Sequence, residues 1–351
     1  MNTRVFRFSV LAFVVFSLCP QLQAGERQSL SLNGRWQIAE SRLPDAMPTA
    51  FEHTVPVPGL ANLAEPSFKG VDAFVSRENM ARRITYGLEP EDGLQKFWKG
   101  KVEQDRNYFW YRTTFRAPKV RSVALLRINK GQFGMAAWVN GQSVGEYAGC
   151  FTAGRFRIDP ALSWGEENTL VVRIGAHPAV LPDTFPTGSD FEKNQWTPGL
   201  YDDVSVAFCD NPVVETVQVA PRIASNEAVV QTRVKNWSSA PVESSLRQTV
   251  KTWKRGRTAA DLDPIPVALQ PGEEKVFTQT VKIPEAHLWS PEDPFLYVVE
   301  SKTGGDSLTT RFGMREFRFD AATRRAYLNG RIYYLRGSNI TLHRFFEDPL
   351  C

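Results

Sequence analysis

Apolar and polar residues alternate along most of this chain, and the alternation is short-ranged. Runs with a period of two recur from residue 29 onward, broken by Gly, Pro, Asn and Asp, which marks half-buried strands joined by turns. NYFWYRTTFRA (107–117), ALLRIN (124–129), NTLVVRI (168–174) and DVSVA (203–207) read as strands. MAAWVNGQSV (135–144) reads as a hairpin, because Asn140-Gly141 suits a type I′ turn whose two central residues both take positive φ. LNGRWQI (32–38) enters a strand through another Asn-Gly step. The more polar stretch 61–106 reads as a long decorated loop, with residues 76–83 as its one helical candidate. The pattern predicts a mainly β fold that opens with an antiparallel sandwich over residues 25–210.

A second unit begins near Asn211-Pro212. VVETVQV (213–219), EAVVQTRV (227–234) and segments 244–252, 275–281, 297–301 and 307–311 are further strands. Their lengths and spacing predict an immunoglobulin-like sandwich over 211–317, without the Cys pair of antibody domains. Residues 318–351 open with a hairpin over 327–335 that turns at Asn329-Gly330 and leads into a strand ending near Arg336-Gly337. This segment is expected to be the start of a further domain.

Composition adds compartment and partner. The first 24 residues read as a secretory signal: Arg4 and Arg7, an apolar stretch at 9–18 too short to span a bilayer, then Ala24 before Gly25. The mature protein is therefore expected in the periplasm or outside the cell. Losing that segment removes two Arg and no acid, so the formal charge falls from +4 to +2. With no basic block, nucleic acid and, after cleavage, membrane are not expected partners. Aromatics make up 12% of the chain, including nine Trp. Trp36, Trp110, Trp138 and Trp289 lie in strand patterns and are expected to fill cores, and surplus aromatic rings suit sugar-facing surfaces. Cys150 and Cys209 could form a bridge or stand as two buried thiols. His53, His177 and His287 have no metal-ligand spacing, and no phosphate-cradling loop or nucleophile elbow is visible. No metal or other cofactor is expected.

Several motifs coincide in order: LNGRWQIA (32–39), VPVPG (55–59), WYRTTFRAP (110–118), WVNGQSVGEYAGCFTAGRFRID (138–159), GEENTLVVRI (165–174), LWSPEDPFLY (288–297), FGMREFRF (312–319) and YLNGRIYYLRGSN (327–339). Each is weak alone. The ordered set resembles glycoside hydrolase family 2, the β-galactosidase, β-glucuronidase and β-mannosidase group.

The resemblance implies a jelly-roll sugar-binding sandwich, an immunoglobulin-like sandwich, and the first strands of a (β/α)8 barrel truncated at residue 351. It also implies an enzyme of β-galactosidase type that hydrolyses β-linked glycosides with retention, using two carboxyl groups about 5–5.5 Å apart. In the family both are Glu on later barrel strands, so both are expected beyond residue 351. A barrel needs about 250 residues, and this chain alone is expected to be inactive. Its expected partner is a carbohydrate substrate, and the full-length enzyme could form a homo-oligomer.

Four residues are implied as substrate contacts. Asp190 and Trp196 sit in a first-domain loop (187–196) that in some relatives reaches the barrel, where a carboxylate accepts sugar hydroxyl bonds and a ring stacks. Asn339 and His343 follow Arg336-Gly337 at the end of barrel strand 1, on the face where barrels place their active sites. The plain alternatives are a turn Asp, a core Trp and an ordinary loop His. The rival function is a stand-alone, non-catalytic carbohydrate-binding protein.

Overall fold

The computed structural model describes residues 25–71, 81, 84–87, 90–92, 106–177, 180–182, 184–186 and 197–338. The stretch 1–24 expected to be a signal lies outside the described residues, as does most of the 76–83 helical candidate. Of its neighbourhood Ala81, Ile84 and Thr85 are helical, with Thr85 Oγ1 donating to Ala81 O at 3.0 Å.

The first half builds β1 (Gln28–Ser31), β2 (Gly34–Ser41), β3 (His53–Val57), β4 (Gly59–Leu60), β5 (Tyr108–Arg116), β6 (Val123–Ile128) and β7 (Gly131–Gln132). It continues with β8 (Met135–Val139), β9 (Gln142–Tyr147), β10 (Gly154–Arg157), β11 (Glu167–Gly175), β12 (Gly199–Leu200) and β13 (Val204–Cys209). A six-stranded sheet, β3-β2-β5-β11-β8-β9, faces a four-stranded sheet, β1-β13-β6-β10, and a ribbon β4-β12-β7 closes one rim. All pairings named in the first sandwich are antiparallel. The period of two explains the layering. In β6 and β13, Leu126, Ile128, Val204, Val206 and Phe208 turn inward. They meet Trp36, Ile38, Phe109, Tyr111, Leu170 and Ile174 from the opposite sheet in one core. Each such apolar side chain contributes about 1.5–3 kcal/mol on burial.

Asn140 (φ 50°) and Gly141 (φ 81°) make the turn between β8 and β9, as their sequence predicts. Asn33-Gly34 works differently. The Asn33 carboxamide oxygen accepts Val204 N–H at 3.0 Å and its amide donates to Asp203 at 2.7 Å, which ties β2 to β13.

The second sandwich comprises β14 (Val213–Arg222), β15 (Glu227–Lys235), β16 (Val242–Thr252), β17 (Thr258–Asp261), β18 (Ile265–Leu269), β19 (Glu274–Lys282), β20 (Tyr297–Lys302) and β21 (Ser307–Phe312). β14-β15-β19 packs on β17-β16-β20-β21, with β18 also pairing β16. Val214, Val230, Val250, Val299, Tyr297 and Phe312 share its core. Buried Gln248 bridges the layers, donating to Thr232 (2.9 Å) and Ser301 (2.6 Å), so its amide is satisfied where an unpaired one would be costly.

The two sandwiches are clasped together. Asp306, with a fully buried side chain, pairs with Arg27 from the strand entry of the first sandwich. It also accepts Val214 N–H at 2.8 Å, while Arg27 donates to Val214 O at 2.7 Å. Asp210 at the junction accepts from Arg121 (2.9 Å) and from Ser122 N–H (2.8 Å). Cys150 and Cys209 are separate buried thiols, which closes the bridge alternative.

Finally, β22 (Phe317–Asp320), β23 (Arg325–Leu328) and β24 (Arg331–Ile332) form a small antiparallel sheet, with the 329–330 turn where expected. The expected strand to Arg336-Gly337 is corrected: regular pairing stops at Ile332, and 333–338 is irregular. Tyr333 N–H still reaches Ala326 O at 2.9 Å, but beyond it no described strand offers a ladder to extend.

Candidate functional site

Asp190, Trp196, Asn339 and His343 all lie outside the described residues. What the structure describes is the footing of the 187–196 loop. Its downstream foot is buried: Thr197 O accepts Gln132 Nε2–H at 2.6 Å, and Pro198 O accepts Ala61 N–H at 2.8 Å. Gly199 then passes between β4 and β7. A Cβ there would sit 2.6 Å from Gly59 O and from Leu60 Cα, so only glycine lets the ribbon close. Tyr201 Oη donates to Cys150 O at 2.6 Å, and burial pushes its phenol up to about 12. Asp202 accepts its neighbour's N–H and pairs with Lys130 at 3.0 Å, which holds its carboxyl below the usual range. A loop leaving this rim starts from a rigid edge, the kind of base that binding loops use.

The three described histidines pack into the fold. His177 is buried and pushed down to about 4 by desolvation, so it is neutral at pH 7, with Nε2 at 2.9 Å from Asn107 Oδ1. His53 stacks on Phe68 at 3.9 Å and His287 on Phe295 at 4.3 Å. Among the described residues no cluster of three or more His, Cys, Asp or Glu could hold a metal.

Trp36 fills the core and donates its indole N–H to Leu32 O at 2.7 Å. Two other tryptophans lie on the far side of its sheet. Trp110 is fully buried, as expected of a core residue, but it packs at 5.1 Å against half-buried Trp138 on the outer face of the six-stranded sheet, apart from the cluster between the sheets. Arg173 covers them, 5.9 and 5.6 Å from the two rings and 4.9 Å from Tyr108. Sheet alternation says that a ring is on one face; it does not say which face is the core. Trp289 is half-buried against Gly313 and under Arg315, also outside the sandwich core.

An Asn-Glu step also stands at 226–227. Asn226 is a left-handed cap (φ 53°), and Glu227 opens β15 and accepts Ser225 Oγ–H at 2.9 Å. It is turn chemistry.

A larger feature lies between the sandwiches. A cleft of about 640 Å³ is floored by the outer face of the four-stranded sheet and walled by β14, β21 and Trp237. Arg27, Arg127, Arg155, Arg157 and Arg311 line it, with Glu215 as the one carboxylate among its described lining residues.

The family model for glycosyl hydrolases family 2 matches residues 213–315, the extent of the second sandwich. Residues 213–315 thus carry the family 2 signature, on the unit where the motifs 288–297 and 312–319 point to it. It is 27% identical to a β-galactosidase of Bacteroides ovatus over 243 residues, covering 65% of this chain and 27% of that protein. It is 23% identical to a β-glucuronidase of Formosa agariphila over 359 residues, 93% of this chain and 33% of that one. The chain thus spans about a quarter to a third of those two relatives. Among solved structures, the Bacteroides uniformis β-glucuronidase superposes with a TM-score of 0.62 at 22% identity, over 89% of this chain and 35% of that one. A galacturonate-bound β-galacturonidase of Eisenbergiella tayi gives 0.60 at 18%, over 89% and 47%. At these identities the structural likeness is one of fold.

Proposed function

We propose that this family 2 chain supplies the two non-catalytic sandwiches of an exported, retaining glycoside hydrolase acting on β-linked glycosides, β-galactosidase-like in substrate. The first would be a jelly-roll sugar-binding domain and the second an immunoglobulin-like spacer. A (β/α)8 barrel would carry the two glutamates. The observation that carries this reading is the family 2 match over a second sandwich that is clasped to the first through buried Asp306. Such a clasp presents both sandwiches to a third domain as one body. Relatives two to four times longer than their match leave room for that domain.

In this reading Asp190 and Trp196, carried on the rim braced by Gln132 and Gly199, would reach the sugar from one side, and Asn339 and His343 from the barrel. The test is hydrolysis. The pure 351-residue protein should release no nitrophenol from nitrophenyl β-galactoside or β-glucuronide. The same sandwiches fused to a family 2 barrel should turn over one of them with retained anomeric configuration. Turnover by the pure 351-residue protein would overturn the proposal.

A further inference from the structure

The cleft between the sandwiches is chemically unlike the rest of the surface. On its floor Arg127 of β6 and Arg155 of β10 are direct cross-strand partners, and Ser205 lies opposite Arg127 on the other side. Like charges facing each other across an antiparallel pair repel. The other cationic pairs here are neutralised: Arg27 by Asp306, Arg157 by Asp159 at 2.8 Å. Among the described residues Arg127 and Arg155 have no carboxylate partner, whereas the Arg311 guanidinium stacks at 4.7 Å over Trp253, a residue outside the cleft lining. Arg127 Nε donates to Asn129 at 2.7 Å, which steadies the arm and leaves its terminal nitrogens to the cleft. The facing carboxylate, Glu215, already accepts Trp237 Nε1–H at 2.6 Å, and Lys235 Nζ sits 3.5 Å over that ring. The Arg127 and Arg155 guanidiniums therefore share a concave space in which neither is paired with a carboxylate, and Glu215, the one acid of the lining, is held by Trp237.

An anion placed there would relieve the Arg127–Arg155 repulsion and accept forked, charge-assisted bonds. The rest of the lining narrows the choice. Ser29, Ser205, Thr309 and Thr310 bring hydroxyls, and Trp237 brings a ring. The volume falls within the roughly 300–1,000 Å³ of small-ligand sites, too short a track for a polymer backbone bound along its length. The chain's near-neutral charge also argues against a nucleic-acid surface. We propose that this cleft binds an acidic oligosaccharide, with its carboxylate or sulfate groups held by Arg127 and Arg155 and its hydroxyls by the Ser and Thr rim. The site is independent of hydrolysis and stands or falls without the activity proposed above.

Isothermal titration of the purified chain tests it with four probes: a tetragalacturonide, a sulfated tetragalactoside, the neutral tetragalactoside and a short single-stranded DNA. At least one acidic glycan should bind about ten-fold or more tighter than the neutral one, the worth of one charge-assisted bond. Binding by only the uronide or only the sulfated probe identifies the anion. Affinity should fall with salt, and Arg127→Gln with Arg155→Gln should remove the preference. Both side chains are exposed, so the unfolding midpoint of that double variant should be unchanged and loss of binding will not be loss of fold. Equal affinity for acidic and neutral probes, tighter binding of the DNA, no binding of either acidic glycan, or an unaffected double variant would each overturn the proposal.

Discussion

On the outer face of the six-stranded sheet, Arg173 is enclosed. It lies against Tyr108, Trp110 and Trp138, donates to Pro44 O at 2.5 Å, and pairs with Glu146 at 3.3 Å. On the outer face of the four-stranded sheet, Arg127 and Arg155 oppose each other without a carboxylate. Both faces belong to one sandwich and use one residue type, yet the first consumes its arginine internally and the second leaves its own available. The charge count of a surface does not distinguish them; the partners of each guanidinium do. The enclosed arginine is part of the fold, and the facing pair is a place for something else.

The comparison predicts opposite responses to mutation. The largest effect belongs to the clasp that holds the cleft's two walls together. Arg27→Ala leaves buried Asp306 as an unpaired charge and should cost about 3–5 kcal/mol in urea unfolding, with acidic-glycan binding lost as well. A variant that unfolds like the parent would show that the sandwiches are held by something other than this pair.

Next comes the enclosed arginine. Arg173→Ala removes a hydrogen bond and the cover over two tryptophans, an expected loss of about 1–2 kcal/mol. Arg127→Ala or Arg155→Ala removes a like-charge contact, so without ligand each should be neutral or stabilising by a few tenths of a kcal/mol, about the scale of such pairs. Equal losses at Arg173 and Arg127, measured by the same denaturant titration, would erase the distinction between the faces.

The subtlest effect is in pH. His177 is held near 4 in the fold against 6.5 when exposed, so between those values the unfolded chain binds more protons than the folded one. Its contribution to stability is complete above about pH 6.5 and is lost as the pH falls toward 4. His177→Gln should flatten the stability curve across that interval, and an unchanged slope would remove His177 from the account.

Much of this architecture is legible from the chain alone. The period of two locates β5, β6, β11 and β13, and Asn140-Gly141 and Asn329-Gly330 announce their turns, because strand alternation and positive φ are local properties. What fails is non-local. β17 and β18 are short, and Pro266 interrupts the second, so neither carries a strong pattern. Trp110 and Trp138 sit on the expected strands, and which face of the sheet they take is set by packing that the strand pattern does not contain. The cleft depends on register and on a second sandwich folding against the first, which no window of sequence contains. One trace was available: Arg155-Phe156-Arg157 alternates, so burying Phe156 must send both arginines outward.

The central claim is that these sandwiches serve a barrel that performs retaining hydrolysis. Its most direct test is to read the coding DNA beyond the Cys351 codon. The account predicts, in frame, several hundred residues of alternating strands and helices with an Asn-Glu step and a second Glu at strand ends. A stop codon with no barrel downstream would contradict it, and binding at the cleft would then be the chain's leading function.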